Sequence, residues 1–275
     1  MTPPVVKSID LRGRVRLRYA EQGDPEGVPV ILLHGVTDSW RSFEPVLPHL
    51  PASIRALALT QRGHGDADRP AAGYRTRDFA GDVAAFAAAL ELGPAVVVGH
   101  SMGATNAQRF AIDHPERVLG LVLAGSFAAY RGNPVIEEFW ESGVSRLVDP
   151  IEPGFVREFQ ENTLAQPVSP AFLDAVVQES LKVPARVWRA AFEGFLEDDV
   201  AGELGRIRAP TLLAWGTRDT FCSRRDQEAL RTAIAGARLV AYEGAGHALH
   251  WQEPERFARD LVAFARDLAG NRPAA

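Results

Sequence analysis

Short apolar runs alternate along this chain with longer stretches in which apolar positions recur every three or four residues. Val30–Leu33, Ile54–Thr60, Ala95–Gly99 and Val118–Ala124 are runs of the first kind, and Val15–Ala20 alternates in the manner of a strand. Unbroken apolar runs suit strands covered on both faces, as in a parallel sheet. In Thr76–Leu92 the residues Phe79, Val83, Phe86 and Leu90 share one helical stripe, and Gly93-Pro94 ends it. Ser42–Leu50 and Ser101–His114 also read as helices, the second closed by Pro115. The alternation returns late in the chain. Thr211–Trp215 and Arg238–Tyr242 predict strands around a helix over Asp226–Ala235. A last helix from Pro254 puts Phe257, Leu261, Phe264 and Leu268 on one stripe, and the tail Gly270–Ala275 is expected to fray. Together these predict an α/β chain with a mainly parallel central sheet and helices on both faces.

Between Ser126 and Ile207 the strands stop. Pro134–Leu147, Gly154–Leu164, Pro170–Leu181 and Pro184–Leu196 follow one another as helices. The chain therefore divides into a core over 1–125, a helical insertion over 126–207 and a second part of the core over 208–275. No internal repeat or low-complexity segment interrupts it.

Composition removes several function classes. The 275 residues are 46% apolar and 24% charged, enough to bury a sizeable core without disulfides or a structural metal. A net charge of −5 with no Lys/Arg cluster argues against nucleic acid as a partner. Cys222 is the one cysteine, so neither an intrachain disulfide nor a cysteine-rich metal site can form. Met1–Lys7 lacks the apolar core of a signal peptide, and nothing approaches the ~18 uninterrupted apolar residues of a membrane span. A cytoplasmic location with no membrane partner is expected; the sequence leaves the oligomeric state open.

The chemistry concentrates at strand ends. Gly99-His100-Ser101-Met102-Gly103 lies between a buried strand and a helix. On such a turn a G-x-S-x-G serine is forced above the carboxyl edge of the sheet at a helix start. The plainer reading is a helix with Ser101 as its N-cap. A serine hydroxyl needs a base, and the base needs an orienting acid. Among the seven histidines, His247 follows the last strand in Gly244-Ala245-Gly246-His247. His250 leads into a helix, and His49 and His114 read as structural. Asp219, in Trp215-Gly216-Thr217-Arg218-Asp219, leaves the strand before it by a short turn, whereas Asp226 reads as a first-turn helix charge. The order Ser101, Asp219, His247 is that of a hydrolase built on this kind of sheet. A tetrahedral oxyanion also needs N–H donors. The amides of Val36, after His34-Gly35, and of Met102 are the candidates.

With Arg62-Gly63-His64-Gly65 added, these segments resemble an α/β-hydrolase-fold serine hydrolase over nearly the whole chain. The resemblance implies a triad of Ser101, Asp219 and His247, and makes the helical insertion a lid over the site. Ala104 departs from it where many relatives carry glycine, and Ser223 where proline is common. Dehalogenases and epoxide hydrolases of the family use an aspartate nucleophile, and position 101 is serine. No HExxH pattern or GxGxxG after the first strand suggests a metal or a dinucleotide, so no cofactor is expected.

Seven of the 14 phenylalanines fall within 127–200, with Trp140 and Trp188. They serve either to pack short helices or to roof an apolar pocket. Trp140, Trp188 and Phe192 are the candidates for substrate contact. Cys222 reads as a small buried hydrophobe near the acid. The function expected is hydrolysis of a carboxylic ester, or of a lactone, as a small-molecule substrate. Perhydrolysis, C–C bond hydrolysis and acyl transfer use the same triad. A small-molecule receptor with slow turnover is the reading from another class.

Overall fold

The computed structural model describes residues 3–270. Of the tail Gly270–Ala275 expected to fray, Gly270 ends the last helix and residues 271–275 lie outside them. Eight strands form one sheet: β1 (Val5–Leu11), β2 (Val15–Gln22), β3 (Val28–Leu33), β4 (Ile54–Thr60), β5 (Ala95–His100), β6 (Val118–Ala124), β7 (Thr211–Gly216) and β8 (Arg238–Tyr242). Their order is β1-β2-β4-β3-β5-β6-β7-β8. β1 and β2, and β2 and β4, pair antiparallel; every later pair is parallel.

Alternation along the central strands builds two cores. Ile31, Leu33, Val97, Leu121 and Leu123 face one layer with Phe86 and Phe110 from α1 (Thr76–Ala89) and α2 (Met102–Asp113). Val30, Leu32, Val96, Val98 and Val122 face the other, against Phe43 and Leu47 and, near the C-terminus, Phe257, Leu261 and Phe264. This period of two explains why the strands read as unbroken apolar runs.

β6 and β7 are separated by α3 (Pro134–Ser142), α4 (Pro153–Asn162), α5 (Pro170–Leu181) and α6 (Ala185–Glu197). These helices share a third apolar cluster with Val36, Met102 and Cys222 of the sheet edge. α7 (Arg224–Ala233), α8 (Leu249–Gln252) and α9 (Pro254–Gly270) complete the chain. Ser223, at the place where proline is common in relatives, caps α7: its Oγ accepts from Asp226 N while Asp226 bonds back. Ala104 is fully buried in α2, where its methyl joins the first core.

Three elements differ from expectation. β1 was not legible because five of its seven side chains are exposed and only Ile9 and Leu11, at its end, reach the core. Ser42–Leu50 is not one helix but two 3-10 turns, Trp40–Phe43 and Leu47–His49. Pro45 and Pro48 lack the N–H groups that an α-helix would need there. Pro134–Leu147 breaks at Gly143 into α3 and a 3-10 turn over Val144–Arg146. Among the described residues no helix is long and apolar enough to cross a membrane.

Candidate active site

Ser101 ends the turn between β5 and α2 with φ +52 and ψ −117, a conformation that costs a residue with a side chain of order 1–3 kcal/mol. Both flanking glycines are required. A Cβ on Gly99 would run into the Gly103 carbonyl, and one on Gly103 into the Leu33 carbonyl. Ser101 occupies the N-cap position, yet its side chain makes no capping bond and lines a cleft instead.

His247 lines the same cleft, 4% exposed. Its Nδ1 lies 2.9 Å from Asp219 Oδ2. Because a carboxylate only accepts, Nδ1 carries the proton and Nε2 keeps a lone pair. Asp219 is fixed in turn: its Oδ1 accepts from Phe221 N at 2.8 Å and Cys222 N at 2.9 Å. No hydrogen bond joins Ser101 Oγ to the His247 ring among the described residues; such contacts commonly tighten only when substrate binds. The rival His250 is fully buried, with Nε2 3.1 Å from Ser42 Oγ. Burial, and secondly the neighbouring His247, hold its pKa down to about 3, so it stays neutral.

Val36 and Met102 line the same cleft as Ser101. Met102 is the first residue of α2, so its N–H has no acceptor within the helix. The Val36 N–H likewise donates to no protein group among the described residues. His34 sets its direction. His34 Nδ1 donates to Gly35 O at 2.7 Å, while Nε2 accepts from Gln61 N at 3.0 Å. The Gly35 C=O and the Val36 N–H belong to one planar peptide, so holding the first aims the second. Arg62 fastens the loop after β4 by a fork on Asp82, both bonds at 2.6 Å, and takes no part in the cleft.

Aromatic side chains from the helical segment close the cleft: Phe139, Phe159, Phe192 and Phe195, with Phe127 and Tyr130 before them. The enclosed and open space together is about 510 Å³. Of the three side chains expected to touch substrate, Phe192 lines this space, whereas Trp140 and Trp188 do not. Trp188 is fully buried and packs edge-on against Phe159 at 5.2 Å, one layer behind the wall. Trp140 packs from outside against the same cluster.

Asp219, Cys222 and His247 each bring one possible metal-ligand atom within 4.8 Å of the others, the one such group among the described residues. The His247 nitrogen facing that group already holds a proton for Asp219. The Cys222 thiol is fully buried, and burial, then Asp219 and Asp226, push its pKa well up, so it stays a neutral thiol directed at Gly125 O. This donor set suits a proton relay better than a cation.

The sequence drew no attention to Asp38, which lines the cleft beside Gly35. Burial raises its pKa to about 7; hydrogen bonds from Gln160 and Ser42 oppose this, and the charge of Glu179 adds to it. An unfolded aspartate titrates near ~3.9. Between these values the folded protein holds a proton that the unfolded chain lacks. The stabilising contribution is therefore complete below the unfolded pKa and is lost as pH rises through about 7. Asp38→Asn should lose this dependence. Its unfolding free energy relative to wild type should climb with pH between 5 and 7 by up to about 1.4 kcal/mol per unit, read by denaturant titration.

The model of a family described as "alpha/beta hydrolase fold" matches residues 28–254. A non-heme chloroperoxidase from Streptomyces lividans is 31% identical over 271 residues, covering 90% of this chain and 95% of the relative. A pimeloyl-[acyl-carrier protein] methyl ester esterase from Neisseria meningitidis is 28% identical over 258 residues, covering 90% and 98%. Among solved structures, an esterase from Exiguobacterium antarcticum superposes with a TM-score of 0.84 at 23% identity, covering 95% of this chain and all of the other.

Proposed function

The chain belongs to the alpha/beta-hydrolase fold family, and from that premise we propose that it hydrolyses carboxylic esters, lactones included, through an acyl-enzyme on Ser101. One observation carries this reading: the His247–Asp219 pair at 2.9 Å shares a cleft with a strained serine whose hydroxyl is not spent on capping. The methyl ester esterase relative supports ester chemistry.

Ser101 Oγ attacks the carbonyl carbon and His247 Nε2 takes its proton. Asp219 holds the ring in the tautomer that can do so and stabilises the imidazolium that forms. The Val36 and Met102 amides receive the oxyanion. The imidazolium then protonates the leaving alcohol, and water repeats the cycle on the acyl-enzyme. α3–α6 act as the lid, with Phe139 and Phe192 giving one half of the substrate an apolar wall.

His34 is a positioning residue in this scheme. His34→Ala should lower kcat by about tenfold or more with little change in KM, since an oxyanion donor that is only misdirected costs less than the ~10²–10³ of one removed. An equal rise in KM would instead mean a damaged cleft.

The test of the function is steady-state hydrolysis of nitrophenyl esters from acetate to laurate, together with simple lactones. Ester or lactone turnover is expected, with a chain-length optimum set by the aromatic wall. No turnover across the series would overturn the reading. The chloroperoxidase relative favours one second reading, in which hydrogen peroxide rather than water takes the acyl group and leaves as a peracid. Halogenation that depends on both peroxide and a carboxylic acid, and exceeds ester turnover, would select it.

A further inference from the structure

The cleft has a polar corner that ester cleavage does not use. Asp38 is 3% exposed; its Oδ1 accepts from Gln160 Nε2 at 3.0 Å and its Oδ2 from Ser42 Oγ at 3.2 Å. Ser42 Oγ also contacts Trp251 Nε1 and His250 Nε2, both at 3.1 Å, so the carboxyl is braced from behind. His100 stands across from it. A Cβ on Gly35 would lie 3.0 Å from His100 Nδ1 and 3.3 Å from Asp38 Oδ2, so both atoms crowd the same face of Gly35, which has no room for a side chain.

The proton on His100 can be placed. Its Nε2 is 3.2 Å from the His247 carbonyl oxygen, which can only accept. Nε2 is therefore the N–H, and Nδ1 is a bare lone pair. That Nδ1 is buried and has no hydrogen-bond partner among the described residues. Buried acceptors are seldom left unpaired without a reason. Here Asp38 and the unpaired His100 Nδ1 meet at Gly35 in the wall of the cleft that holds Ser101.

We propose that Asp38 and His100 Nδ1 form a subsite for a hydrogen-bond donor, so that the preferred ester carries a hydroxyl or N–H group there and an apolar group against Phe139 and Phe192. The proposal rests on the ester-hydrolase reading and names its substrate class. A site built to bond a donor discriminates strongly against an analogue without one, because an acceptor, here His100 Nδ1, then stays buried and unpaired. The opposite wall is mainly apolar, with Val36, Met102, Ile136, Phe139 and Phe192, and asks for no such group.

The experiment, run at about pH 8 where Asp38 is ionised, compares kcat/KM for methyl pentanoate with its hydroxylated counterparts at the alpha, beta and terminal carbons, an acetamido counterpart and the hydroxyethyl ester. At least one donor-bearing substrate should exceed the parent by about tenfold or more. That ratio should fall to about one in Asp38→Leu, and Asp38→Asn, which keeps one acceptor oxygen but puts an NH₂ donor in place of the other, should retain only part of it. Turnover of the parent ester with no preference for any donor-bearing compound overturns the subsite and leaves the esterase reading intact, as does a preference that survives in Asp38→Leu. If no ester is turned over, the esterase reading fails, and calorimetric titration of the same compounds into the wild type decides the subsite. Tighter binding of a donor-bearing compound by about tenfold upholds it; equal binding overturns it.

Discussion

Ser101→Ala is expected to lower kcat/KM for the best ester by about 10⁵-fold or more, to the background left by the cleft and its oxyanion donors. The loss is chemical, because without Oγ no acyl-enzyme can form. The fold should be unaffected, since the Ser101 side chain makes no capping bond and the turn is held by backbone contacts such as Ser101 N to Ala124 O at 3.0 Å. Ser101→Gly should be equally inactive but more stable by about 1 kcal/mol or more, because glycine adopts a φ of +52 without the cost that serine bears. Inactivity with raised stability is the signature of strain kept for function. Parallel denaturant curves for the three proteins read it out.

Asp219→Asn should drop kcat by about 10⁴ with KM and stability little changed. The reason lies in how the carboxyl is held. Its Oδ1 accepts two backbone N–H groups, from Phe221 and Cys222, so the carbonyl of an asparagine would take that place. The amide NH₂ would then face His247 Nδ1, and the ring would have to present a lone pair there. Its proton would move to Nε2, leaving no base for Ser101. Kinetics across pH on the best ester would show the loss at every pH where His247 is neutral. Near-full activity in the variant would mean that another acid orients the ring.

The sheet was legible because both its faces are covered, which turns strands such as Val96–Val98 and Leu121–Leu123 into unbroken apolar runs. The serine turn was legible because close contact with carbonyls leaves only glycine at positions 99 and 103. β1 escaped notice for the opposite reason: an edge strand with exposed side chains carries no hydrophobic period. Trp188 shows a second limit. Aromatic content located the segment that forms the wall but could not separate the layer facing the cleft, with Phe159 and Phe192, from the layer packed behind it. Asp38 shows a third. Its partner Gln160 lies 122 residues away, and a buried carboxyl announces itself only when such partners meet in space. His247 and His250 are three residues apart in sequence, yet one faces Asp219 and the other a buried serine.

Trapping the covalent intermediate tests the central claim most directly. The protein, treated with a fluorophosphonate or quenched in acid during turnover of a nitrophenyl ester, would be weighed intact and then as peptides. One phosphonyl or acyl group on the peptide containing Ser101, absent from Ser101→Ala, is the predicted result. An unmodified protein that continues to turn over ester, or an adduct on any other residue, would contradict the account.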